Sequence, residues 1–79
     1  ISLRKKVAEA LVLLQKKYHK TKDDQFVIDI TRDNLATIAG TATESLIRTL
    51  TDFRNEKLID INDGLITILN EKKLERLIS

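Results

Sequence analysis

In the stretch GTATESLIRTL, Gly40 to Leu50, an acid and a base stand four residues apart: Glu44 and Arg48. On a helix that spacing puts both side chains on one face, where they can pair with each other or act separately on a third party. Acting separately, they suit the edges of a base pair. An arginine donates two parallel hydrogen bonds to O6 and N7 of guanine, and a carboxylate accepts from the N4 amino group of cytosine. A surface ion pair explains the spacing equally well, and the rest of the chain has to decide between the two.

Other chemistry is poorly supplied. His19 is the only histidine and there is no cysteine, so neither a metal site nor an activated nucleophile can be assembled from the usual ligand types. His19 reads as a solvated loop residue. Asp23 and Asp24 are adjacent in a polar loop, which does not hold two carboxylates across a substrate. Two glycines are too few for a phosphate-cradling loop. The chain is expected to be no enzyme and to carry no metal or cofactor.

Seventy-nine residues with 42% hydrophobic content make one domain with one modest core. No apolar run reaches the roughly 18 residues of a membrane span, the first residues lack the basic-then-apolar layout of a signal peptide, and with no cysteine a reducing cytoplasm is the expected compartment. The chain opens on Ile1 rather than methionine, which suggests a piece of something longer. A net charge of +2 is a mild basic excess, compatible with a polyanionic partner without requiring one. Arg4, Lys5, Lys6, Lys16, Lys17, Lys20 and Lys22 crowd the first quarter and read as a solvated helix face.

The elements that must position Glu44 and Arg48 follow from periodicity and punctuation. Leu3, Val7, Ala10, Leu11, Leu14 and Tyr18 recur at helical spacing, giving an amphipathic helix from Leu3 to Tyr18, widened by Val12 and Leu13 so that it packs on two sides. His19 to Gln25 reads as a loop, and FVIDI, Phe26 to Ile30, as a strand. Thr31 can cap a short helix running to about Ala39, with Leu35, Ile38 and Ala39 inward. Gly40 then allows a sharp turn through positive φ. In the next helix Leu46, Leu50 and Phe53, flanked by Ile47 and Leu58, form the buried stripe, leaving Thr43, Glu44, Arg48, Thr51 and Asp52 outward. Lys57 to Leu69 holds two β-type runs around Asp63-Gly64, a hairpin signal. Asn70 can cap a last helix with Leu74, Leu77 and Ile78 on its apolar side. This order predicts a mainly α protein with a small β-hairpin, an α+β winged helix-turn-helix, in which Ala36 and Gly40 let the two central helices approach closely.

The run ITRDNLATIAGTATESLIRTLTDFRNEKLI, Ile30 to Ile59, closely resembles the DNA-binding domain of the Crp/Fnr family of bacterial transcription regulators. The likeness continues through DINDGLITILNEKKLERL and, more loosely, back into the first helix. Its most specific part is Glu44, Ser45 and Arg48 just after the glycine turn. The resemblance implies that residues 1–79 are the winged helix-turn-helix output domain of a longer regulator, with an upstream sensor domain and a dimerisation helix absent from these residues. It implies double-stranded DNA as partner, a homodimer in the full-length protein, and contact with RNA polymerase. Family members read a G·C pair with the Glu44 and Arg48 positions, in a half-site resembling TGA.

Thr43 stands where some members place a further base-reading arginine, so that contact is expected to be missing. Thr43 and Ser45 suit phosphate or a thymine methyl, and Thr31 and Arg32 suit backbone phosphate. Two departures from the family pattern stand out. Ala42 replaces a usual serine or threonine cap, so capping is expected to pass to Thr41, with Glu44 completing a T-x-x-E box. The wing tip, Asn62 to Leu65, brings no cation. The rival reading is a winged helix that binds another protein without DNA, through the first helix or the Leu74, Leu77, Ile78 edge.

Overall fold

The computed structural model describes residues 2–19 and 26–79, so all but His19 of the loop expected over His19 to Gln25, including Asp23 and Asp24, lies outside the described residues. Helix α1, Leu3–Tyr18, begins at Ser2, whose hydroxyl accepts from the Lys5 N–H at 3.1 Å. Strand β1 is Val27–Ile28, and helices α2, Arg32–Ala39, and α3, Thr43–Asn55, follow. Strands β2, Ile59–Asn62, and β3, Leu65–Ile68, then lead into α4, Glu71–Ile78. Asn70 caps α4, its side chain accepting from the Lys73 N–H at 3.1 Å.

The hairpin closes through Asp63 at φ 51° and Gly64 at φ 78°, the two positive-φ positions that a tight two-residue turn demands. It is not a free hairpin. β1 adds to the far side of β3, so the sheet runs β1-β3-β2, all antiparallel, with Ile28 and Ile61 on either side of Ile66. The strand expected over Phe26 to Ile30 is therefore only Val27–Ile28. Beyond Ile28 the chain leaves the sheet, because Thr31 must take up the cap of α2.

α1 is the hub of the core. It buries Val7, Ala8, Ala10, Leu11 and Val12 and packs against α2, α3 and α4 at once, while Leu13 stays 56% exposed. Leu35, Leu46, Leu50, Phe53, Leu58, Ile59, Ile66 and Leu74 close the core around it, each such side chain contributing roughly 1.5–3 kcal/mol. Leu77 and Ile78 pack against the same cluster and are half-buried, whereas Leu74 on the same edge is fully buried.

Two apolar residues expected inside lie outside. On α3 the buried arc is centred between Leu46 and Phe53, and at 3.6 residues per turn Ile47 falls about 110° from that centre while Thr49 falls within about 50°. Accordingly Ile47 is 46% exposed and Thr49 only 3%. The same geometry on α2, where the arc is centred between Leu35 and Ala36, turns Ile38 out to 43% exposure.

The basic face of α1 is also more than a solvated surface. Arg4 makes two hydrogen bonds of 2.8 Å to the Glu56 carboxylate and lies 5.0 Å over the Phe53 ring. Lys6 Nζ reaches the Gly40 carbonyl at 3.5 Å, and Lys16 sits 3.8 Å from Glu75. His19 closes the C-terminus of α1 and stacks on Phe26 rather than standing free in a loop.

Candidate nucleic-acid interface

Three pieces of the chain meet on one surface: the start of α2, the wing turn and the start of α3. Thr31 caps α2, its hydroxyl oxygen accepting from the Asn34 N–H at 3.1 Å, which leaves its own proton available to a further acceptor. Arg32 follows, and a shallow cleft brings Asp29 to Arg32 against Asp63, Gly64 and Leu65 of the wing turn. On the other side of the same helical turn, Asp33 Oδ1 accepts from the Thr43 hydroxyl at 2.8 Å. The first turn of α2 therefore bridges the wing and the first turn of α3.

The connection between the helices is set by the end of α2. Gly40, at φ 76°, donates to the Ala36 carbonyl at 2.9 Å, and Thr41 N–H donates to the same carbonyl at 3.0 Å. That closure satisfies the last carbonyls of α2 and aims the chain into α3. A Cβ at Gly40 would meet nothing within 4 Å, so the glycine serves the backbone conformation, whereas Ala36, almost fully buried, serves the close approach. Thr41 is thereby held at the end of α2, one residue short of the cap. Ala42 takes the N-cap of α3 with no side-chain hydrogen bond, so the expected Thr41–Glu44 capping box does not form.

Glu44 is consequently free of the backbone. Among the described residues the ion pairs join Arg4 to Glu56 and Lys16 to Glu75, and Glu44 and Arg48 form none with each other. Both are exposed, on the side of α3 opposite Leu46 and Phe53. Ser45 lies half-buried behind them. Thr51, one turn after Ile47, directs its hydroxyl at the Ile47 carbonyl at 3.1 Å. Thr43, expected to meet phosphate, has its proton engaged by Asp33, so a phosphate contact from its hydroxyl requires that bond to be exchanged. Asp33 and Ile47 are the surface residues that spacing alone did not pick out. No described helix is long and apolar enough to cross a membrane.

The family model of the Crp-like helix-turn-helix domain matches residues 5–77. Among solved structures, the chain is similar to a protein from Eubacterium rectale assigned to the crp/fnr family of transcriptional regulators. There the TM-score is 0.85 with 32% identity over 98% of this chain and 33% of the other. It is similar also to a CRP/FNR-family transcriptional regulator from Thermus thermophilus, with TM-score 0.84 and 26% identity over 98% of this chain and 40% of that one. The catabolite activator protein of Thermus thermophilus gives a TM-score of 0.82 at 25% identity, over 96% of this chain and 33% of that one. The chain thus spans between a third and two fifths of the length of these proteins. No curated protein matches it significantly. With a helix-turn-helix closed by Gly40, a winged sheet beside it and a family match covering nearly every residue, this chain belongs to the Crp-like helix-turn-helix family of transcription regulators.

Proposed function

We propose that this chain binds double-stranded DNA in a sequence-dependent manner, with α3 in the major groove, as the output domain of a longer bacterial transcription regulator. The observation that carries this reading is the freedom of Glu44 and Arg48: exposed on one face of α3, unpaired with each other, and flanked by the start of α2 and the wing turn. A helix with its side chains measures about 10–12 Å across, which suits a major groove about 12 Å wide.

In this arrangement Arg48 takes O6 and N7 of a guanine and Glu44 accepts from a cytosine amino group. Thr31 and Arg32 meet phosphate and set the register, with Ser45 and Thr43 close to the backbone at the start of α3. The wing tip, carrying Asp63 and no cation, adds little attraction to phosphate. A two-fold operator calls for two such domains, so the complete regulator is read as a homodimer paired through an upstream region that also carries the sensor, acting in the cytoplasm and touching RNA polymerase.

The test is the salt dependence of duplex binding. Each phosphate contact contributes roughly 0.9 to the slope of log K against log salt. Arg32→Ala should reduce the slope by about that amount and weaken all sequences alike. Salt-independent binding would sink the DNA reading, and a loss confined to one base position would sink the assignment of Arg32 to the backbone.

A further inference from the structure

We propose that Ile47 is a specificity-determining residue that reads a thymine through its C5-methyl group. The inference rests on the reading of α3 as the groove-facing helix and adds a base contact of a different chemistry to those of Arg48 and Glu44. Its starting point is an inversion on α3: a threonine, Thr49, is buried at 3% exposure, while the larger and more apolar Ile47 is 46% exposed. A β-branched residue gains nothing in helix propensity from an exposed position, and Ile47 gains little from the core. Its side chain is available to something outside the domain.

Position decides what that something is. Glu44 lies three residues before Ile47, Arg48 one after, and Thr43 and Thr51 four before and four after, so Ile47 shares the outer face of α3 with the proposed base readers. Thr51 turns its hydroxyl back to the Ile47 carbonyl at 3.1 Å, which withdraws a donor from the surface at this spot. What remains is a small apolar strip bordered by an acid and a base. It is too small and too charged at its margins for a protein-docking patch. In the major groove only thymine offers an apolar group, its C5-methyl, so an isoleucine presented there selects a T·A pair next to the pair read by Arg48.

The experiment uses the 79-residue chain and a duplex selected from a random pool, with each thymine replaced in turn by deoxyuridine, which removes only the methyl. At one thymine the parent should lose about fourfold in affinity, the effect of one buried methyl group. Ile47→Ala should weaken binding and become indifferent to that replacement, and Ile47→Val should retain part of the sensitivity. Ile47 is outside the core, so circular dichroism should show all three proteins equally folded. If the parent is indifferent to deoxyuridine at every thymine, or Ile47→Ala keeps the parental sensitivity, the methyl contact is refuted while salt-dependent, guanine-selective binding leaves the wider DNA reading standing. If no duplex is bound even at low salt, where the phosphate contacts of a single domain are strongest, both fall together.

Discussion

Arg48 and Glu44 sit about 40° apart around α3, near enough to pair, yet each keeps its own direction outward. On the proposed reading, Arg48→Ala should cost about 1–3 kcal/mol at the guanine assigned to it and relax discrimination there, with no change in melting temperature because the side chain is exposed and outside the core. Glu44→Ala should behave differently. Loss of the carboxylate removes an acceptor for cytosine and a repulsion toward phosphate together, so non-specific affinity should hold or rise as preference at that pair falls. Selection from a random pool with both variants, in a dimeric context, separates the roles, and unchanged preferences in both would return the pair to a surface ornament. That the two side chains share one exposed face of α3 was legible, because it depends only on their spacing along a helix. The Asp33–Thr43 bond was not, because it spans the Gly40 turn and depends on the direction in which that turn sends α3.

Between elements, the first turns of α1 hold both approaches to α3. Lys6 reaches the carbonyl of Gly40 before the helix, and Arg4 grips Glu56 after it while covering Phe53 from above. The hydrogen bond from Arg4 holds the Glu56 carboxyl below its ordinary value of 4.5, and the same bond raises the Arg4 guanidinium above its already high ordinary value. A depressed carboxyl contributes its stability above the ordinary value and loses it as pH falls through the lower, folded value. The raised Arg4 matters only in strong alkali. Glu56→Gln should therefore melt slightly below the parent at neutral pH, by the small amount expected of an exposed pair, and the gap should close as the pH drops below about 4.5. A gap that stays constant from neutral to acid pH would mean that the clamp owes nothing to charge. Element boundaries were readable wherever a local device marks them, as with Thr31, Gly40, Asp63-Gly64 and Asn70. Ile38 and Ile47 were misplaced because a one-dimensional apolar pattern does not locate the centre of the buried arc, which the neighbouring helices determine.

At the scale of the whole molecule, the winged helix-turn-helix order was visible in the chain, whereas the closure of the sheet was not. Val27 pairs with Thr67, forty residues on, and nothing in the alternation of FVIDI names its partner. That closure leaves β2 as the four-residue outer edge of a three-stranded sheet, with Ile61 opposite Ile66. In a two-residue hairpin this is a position whose N–H points away from the partner strand, which makes it a template for a second chain. Asp60 occupies it: one carboxylate oxygen accepts from the Ile61 N–H at 2.9 Å and the other from the Asn62 side chain at 3.1 Å. A charge and a spent donor on so short an edge oppose strand addition, and so protect the domain from stacking edge to edge into aggregates at high concentration. Asp60→Thr supplies a neutral strand former and frees the amide, and light scattering of concentrated samples should show it self-associating where the parent does not; equal scattering from both would show that the edge is guarded by its brevity alone.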